Sequence, residues 1–217
     1  MSTNRSTSCG AMKGGDGICA RFIISNKGDI PEMDRITDEI DKKYGEQGMS
    51  VKTGEIFPTD TAPVVSVVDG KPALSLMRWG FPKWDGKGVI INAKCETAGE
   101  KRMFAAALAH RRCVIPATGF IEWTSGEGKR KYVFNTENDP MLYMAGLYSD
   151  YVDMLKDEQL TERFVILTTN ANDSISDVHN RMPVVLYKNE IVRWLKDFSY
   201  THALLYRSTV QFVRKSA

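Results

Sequence analysis

The chain has 217 residues, 42% of them hydrophobic and 26% charged, with a formal net charge of +2. That make-up is ordinary for a soluble globular protein with a sizeable core, in one large domain or two small ones. It excludes a transmembrane helix, since no apolar run approaches roughly 20 residues. The N-terminus also lacks the apolar stretch of a signal peptide, so a cytoplasmic setting is expected.

Residues 1–17, MSTNRSTSCGAMKGGDG, are rich in Ser, Gly and Thr and offer almost nothing to bury. They read as a disordered leader ahead of a domain spanning 18–217. Ile18–Ile24 is a short apolar strand. Pro31 opens a helix that puts Met33, Ile36, Ile40 and Tyr44 on one face. Extended segments follow at Glu55–Phe57 and Pro63–Val68, and Asp69-Gly70 marks a tight hairpin into Ala73–Trp79. The run Trp79-Gly80-Phe81-Pro82-Lys83-Trp84 leads through a Gly-rich loop to the extended stretch Val89–Lys94.

Glu96–His110 reads as an Ala-rich helix with Met103, Phe104, Ala107 and Leu108 as its buried stripe. Arg111–Trp123 then reads as a strand, a Pro/Gly-containing bend and a second strand. Further strands are expected at Lys131–Phe134, Leu142–Leu147, Phe164–Thr169 and Val184–Leu186, and a helix at Asn189–Lys196. A polar, irregular stretch covers Asn170–Pro183, and the C-terminal remainder is mixed. The pattern predicts an α+β fold: one domain with a curved, largely antiparallel, barrel-like sheet and peripheral helices.

The four cysteines, Cys9, Cys19, Cys95 and Cys113, form no C-x-x-C pair and no zinc spacing. Free thiols and no metal or cofactor are expected, with Cys113 as a small core residue. The net charge does not imply nucleic acid by itself; what matters is where the basic residues lie. Several stand beside loop or aromatic landmarks, among them Arg21, Lys94 and Arg181.

Four polar residues stand out by context. Cys19 begins the first strand, Asn92 follows an apolar run, and His179 lies in the polar loop. Glu122 sits between Ile121 and Trp123 in a strand, so it faces opposite to its neighbours. It faces either water or a cleft, and in a cleft desolvation would bring it toward proton transfer. A Cys, a His and a Glu also make up the nucleophile, base and orienter of a cysteine hydrolase. Taken singly, His179 reads as readily as a loop-fixing residue, and Asn92 as a cap or turn.

Together these segments resemble the SOS response-associated peptidase (SRAP) family from about Cys19 to Leu186. The resemblance rests on Cys19-Ala20-Arg21-Phe22, Trp79-Gly80-Phe81 with Trp84, and Asn92-Ala93-Lys94 with Glu96-Thr97. It continues in Arg112–Trp123 and in Thr168–Ala171 with His179–Pro183. The family pattern usually reads Cys-Gly-Arg and Asn-Ala-Arg, so Ala20 and Lys94 depart from it. Lys94 keeps the charge without the bidentate fork of Arg.

The resemblance implies an enzyme that captures abasic sites in single-stranded DNA as a covalent crosslink. Its nucleophile would be a cysteine at the mature N-terminus, whose amine forms a Schiff base and whose thiol closes a thiazolidine. It implies Asn92 holding the amine or the sugar, Glu122 shuttling protons, and His179 assisting ring opening. It further implies Arg21, Lys94 and Arg181 gripping phosphates, with Trp79, Phe81 and Trp84 against bases. The alternative for those aromatics is core packing. The expected partner is abasic single-stranded DNA, bound by a monomer.

As written, Cys19 is internal, and its amide nitrogen is no nucleophile. The implied chemistry therefore requires removal of residues 1–18, by proteolysis or by initiation at position 18. For the latter, Lys13–Asp16 can be encoded by a purine run of the ribosome-binding type. Two readings of other kinds stand beside this one. One is a cysteine peptidase using Cys19, His179 and Glu122; the other is a non-catalytic single-strand-binding module.

Overall fold

The structure is a computed structural model that describes residues 20–47, 49–153, 159–205 and 210–217. The expected leader, and Ile18 and Cys19 with it, lie outside the described residues. The first strand, β1 (Arg21–Ile24), buries Phe22 and Ile24 and turns Arg21 and Ile23 to the other face. Helix α1 (Pro31–Tyr44) starts on Pro31, carries Glu32 and Asp34 in its first turn and Lys42 and Lys43 in its last, as the helix dipole favours. Its buried stripe is Met33, Thr37 and Ile40, with Ile36 at the margin.

β2 (Gly54–Ile56) pairs with β1. β3 (Thr61–Val68) and β4 (Lys71–Trp79) form a hairpin whose loop is Asp69-Gly70, both residues at positive φ. Those angles are the ones a two-residue hairpin turn demands. The stretch Val89–Lys94 breaks at Ile91. β6 (Val89–Ile90) pairs with β5 (Phe81–Pro82) in a small separate ribbon, and β7 (Asn92–Lys94) joins the later strand Gln159–Asn170. The Ile91 carbonyl at the break accepts from the Trp79 indole at 3.0 Å and from the Ile166 amide at 3.1 Å.

The expected helix Glu96–His110 is in fact two, α2 (Cys95–Ala98) and α3 (Arg102–His110), parted around Gly99. Glycine in a helix interior is costly, and α3 restarts with the Phe104 and Ala105 amides on the Lys101 carbonyl. After it, β8 (Arg112–Ala117) and β9 (Gly119–Trp123) do not pair with each other: Thr118 is a corner at which the chain changes sheets. Its amide and hydroxyl both donate to the Ile23 carbonyl, at 2.8 and 3.1 Å, which pins the corner to β1.

The remaining strands are β10 (Lys131–Asn135), β11 (Leu142–Asp153), β12 (Gln159–Asn170), β13 (Arg181–Pro183) and β14 (Val185–Leu186). Helices α4 (Ile191–Lys196) and α5 (Phe198–Leu205) follow, and β15 (Val213–Ser216) ends the chain. Two sheets result. One has the order β15-β10-β9-β1-β2. In the other, β12-β4-β3-β8-β11 closes into a ring because β11 also pairs with β12. All the ring's pairings are antiparallel except β12–β4. The barrel-like α+β fold read from the sequence is thus present, and closure removes the edges of those strands.

The ring packs tightly. Gly146 of β11 stands opposite Cys113, and a Cβ placed on it would lie 2.4 Å from Ile115 and 2.8 Å from the Val165 carbonyl. Cys113 is fully buried, as expected, and burial pushes its thiol well above the usual range. Buried Arg112 ties two helices to the ring. Its guanidinium donates to the carbonyls of Leu108 and Ala109 at the end of α3, and of Trp194 and Leu195 in α4. A cation there meets the negative ends of both helix dipoles. Among the described residues, no helix is long and apolar enough to cross a membrane.

Candidate active site

In the sheet made by β1, β9 and β10, directly paired residues share a face. Phe22 pairs with both Phe120 and Ile56, and Phe134 with Phe120, so these define the inner, apolar face. Two residues beyond Phe120, Glu122 lies on that same face, opposite Tyr132, and is only 2% exposed. The β1–β9 register, carried one residue on from Arg21–Ile121, sets Ala20 opposite Glu122. A carboxylate so placed does not face bulk water. It terminates a hydrophobic row, beside the residue that follows Cys19.

The strand runs on into Thr124 and Ser125, which form one wall of a cleft of about 370 Å³. The other wall is Ser176, Asp177, Val178, His179 and Asn180. That loop is fixed by its own sequence. Asn172 Oδ1 accepts from the Ser174 amide and hydroxyl, Ile175 and Val178 are buried, and the Ala171 amide closes the loop on the Asn180 carbonyl at 3.0 Å. The polar stretch is irregular because its Asn and Ser side chains satisfy the backbone locally. Nδ1 of His179 accepts from the Arg181 amide at 3.1 Å and lies 3.3 Å from the Arg181 carbonyl. Nδ1 is thus engaged with the main chain of Arg181, which fixes the ring where His179 lines the cleft.

Arg181 itself points inward. It is 6% exposed, forms a bidentate pair with Glu96 at 2.6 and 2.8 Å, and donates to Asn170 Oδ1 and the Thr168 carbonyl. The Arg181 hydrogen bonds hold the Glu96 carboxyl below its usual range, against a smaller opposing effect of burial. The guanidinium for which the resemblance implied a phosphate grip thus holds an internal carboxylate in this structure. Trp79 and Phe81 likewise move from the expected DNA face into the core. Trp79 is fully buried between Phe22 and Phe164, and Phe81 packs on Phe104 and Tyr151. Neither ring has a face left for a base. Trp84, by contrast, is 93% exposed at the tip of the β5–β6 ribbon, in a turn made by Gly86 and Gly88 at positive φ.

Asn92 begins β7 opposite Ile166, and exposed Lys94 ends it opposite Thr168. They connect to the β1 region through Trp79, which holds the neighbouring Ile91 carbonyl and packs on Phe22. Arg21 lies on the outer face of β1, its guanidinium 4.5 Å from the Phe57 ring and 4.7 Å from the Trp123 ring. One Arg21 nitrogen donates to Glu55 at 3.0 Å, and Lys131 binds the other Glu55 oxygen. The Lys131 bond, then Arg21, hold the Glu55 carboxyl below its usual range against some desolvation. Cys19 lies outside the described residues.

Several neighbours of this site escaped the sequence reading: Glu55, Lys131, Tyr132, Asp177 and Arg214. Arg214 of β15 bonds Asp177 with one nitrogen at 2.7 Å to each carboxylate oxygen. Only the pairing of β15 with β10 brings it there, and the C-terminal stretch has no alternation that announces a strand.

The model of the SRAP family, SOS response associated peptidase, matches residues 18–214, and the chain belongs to that family. It is 32% identical over 200 residues to abasic site processing protein YobE of Bacillus subtilis, covering 87% of this chain and 88% of the relative. It is 28% identical to YoaM of the same organism over 186 residues, covering 82% and 79%. To abasic site processing protein YedK of Escherichia coli it is 27% identical over 183 residues, covering 82% and 80%. The fold is similar to a crystal structure from Bacteroides thetaiotaomicron, with TM-score 0.70, 21% identity and 91% of each chain covered. A second, from Bordetella bronchiseptica, has TM-score 0.70 at 20% identity, covering 92% of this chain and 99% of that one.

Proposed function

We propose that this protein captures ring-opened abasic sites in single-stranded DNA through Cys19, once that residue is the N-terminus. The names of YobE, YoaM and YedK support the substrate class. The observation that carries the chemistry is Glu122: a carboxylate only 2% exposed in β9, two residues before Thr124 and Ser125, which line one cleft with His179.

In this reading the α-amine of Cys19, partly neutral near pH 8, attacks the sugar aldehyde. The carbinolamine loses its hydroxyl as water, with Glu122 delivering the proton, and leaves a Schiff base. The Cys19 sulfur then adds to the imine carbon, closing a five-membered thiazolidine. One water is released overall, and no oxidant is needed. His179 moves the proton that opens the deoxyribose ring, and Asn92 holds the amine or the sugar. Exposed Lys94 and the edge of Arg21 take phosphates, while Trp84 takes a base face.

The test is retention of labelled DNA on the Cys19-initiated protein after denaturation, comparing single strands with and without one abasic site. Capture of the abasic strand alone is expected, slowed about 10²–10⁴-fold in Glu122→Gln and lost as a stable adduct in Cys19→Ser. Equal retention of both strands, or an unaffected Glu122→Gln, contradicts the reading.

A further inference from the structure

The last described segment, residues 210–217, touches the His179 loop at a series of points. The Asn172 side-chain amide donates to the Val210 carbonyl at 3.0 Å, and the Phe212 amide donates to Ser174 Oγ at 3.1 Å. Arg214 then holds Asp177 at 2.7 Å to each oxygen. Positions 210, 212 and 214 thus meet positions 172, 174 and 177, in order along both segments.

The same segment is seated on the strands that carry Glu122. The Phe212 ring packs edge-on against Phe120 at 5.1 Å, two residues before Glu122 in β9. The Arg214 guanidinium lies 5.0 Å from the ring centre of Tyr132, and Tyr132 stands directly opposite Glu122. A continuous path of contacts therefore runs from Glu122 through Tyr132, Arg214 and Asp177 to the loop that bears His179.

We propose that residues 210–214 are a positioning strap that sets His179 at a fixed distance from Glu122, with Arg214 as its decisive residue through Asp177 and Tyr132. The proposal rests on the roles given to Glu122 and His179 above. An exposed ion pair alone contributes little. Here it is the third of three successive ties, and it is held in place by an aromatic ring. Arg214 acts through the loop, so it is a positioning residue.

The experiment compares wild type with Arg214→Gln, Asp177→Asn and the charge-exchanged double variant Asp177→Arg with Arg214→Asp. Amide hydrogen exchange across residues 171–181 is measured in the full chain, where no DNA chemistry is involved. The strap predicts about two- to fivefold faster exchange of the His179 and Arg181 amides in each single variant. It also predicts a return toward wild type in the double variant. In the Cys19-initiated protein, capture slows by a similar or larger factor, because small displacements of a reacting group are costly, while affinity for intact single strands is unchanged.

Unaltered exchange in both single variants overturns the proposal. So does loss of single-strand affinity in Arg214→Gln without a change in exchange, which would make Arg214 a phosphate contact. If wild type captures no abasic DNA at all, the functional reading fails, and the exchange measurement still decides the strap.

Discussion

The Arg181 main-chain amide donates to Nδ1 of His179 at 3.1 Å, while the Arg181 side chain is held by Glu96. One residue thus orients the candidate proton carrier with its backbone and is itself fixed, through its guanidinium, to α2. Replacing His179 by Gln should slow capture of abasic DNA about 100-fold, the lower end of what acid–base catalysis contributes. Affinity for an intact single strand should not change. A variant that captures at the wild-type rate would remove His179 from the chemistry.

The Glu96–Arg181 pair makes stability pH-dependent in a stated direction. The Glu96 carboxyl is held below its ordinary value of 4.5, first by the Arg181 hydrogen bonds. A group with a lowered folded-state pKa contributes stability that is complete above its unfolded value and is lost as pH falls through the folded value. Denaturant midpoints should therefore drop below about pH 4.5, and Glu96→Gln should flatten that drop. Glu96→Ala, which strands a buried guanidinium, should cost about 2–4 kcal/mol at pH 7. A Glu96→Gln curve with undiminished acid sensitivity would place the effect elsewhere.

Arg112 is predicted to matter for stability and not for DNA. Arg112→Met removes the cation shared by the carbonyls of Leu108, Ala109, Trp194 and Leu195. A loss of about 3 kcal/mol is expected by chemical denaturation, with the capture rate of the folded fraction unaltered.

The two tryptophans of the Trp79–Trp84 segment should separate cleanly. Trp84→Ala should leave the melting temperature in place and weaken single-strand binding by about 1–3 kcal/mol, the worth of one stacked base. Trp79→Ala should cost about 3–5 kcal/mol of stability. The pair of melting curves and binding isotherms checks both at once.

Gly146→Ala tests the closed ring. The added methyl would meet Ile115 at 2.4 Å and the Val165 carbonyl at 2.8 Å, and a backbone atom cannot rotate away. Overpacking of this kind costs about 1–3 kcal/mol, so a stable Gly146→Ala variant would argue against the β8–β11–β12 packing described.

What could be read from the chain was local or chemical. Asp69-Gly70 announced its hairpin because few residue pairs tolerate two positive φ angles. Pro31 and the acids after it announced α1. The break at Ile91, the corner at Thr118 and the closure of β11 on β12 depend on partners far along the chain, which no local period records. For Trp79 the sequence left both a DNA face and core packing open; β4 settles it by putting Trp79 on the same face as buried Ser75 and Met77, with Leu76 and Arg78 on the partly exposed side. The pairing of Arg181 with Glu96, 85 residues away, was not legible, because no local pattern records a partner at that distance. Glu122 was legible as a residue but not in its setting. Its burial follows from the register with β1 and β10, set by strands more than 100 residues apart in the case of Ala20.

The central claim is covalent capture by an N-terminal Cys19, and intact mass tests it most directly. The full chain and a form beginning at Cys19 would each be mixed with a single strand bearing one abasic site. The Cys19-initiated form should gain the mass of the strand less one water, and the full chain should gain it only after losing its first 18 residues. An adduct on the uncleaved full chain, or none on either form, would contradict the account.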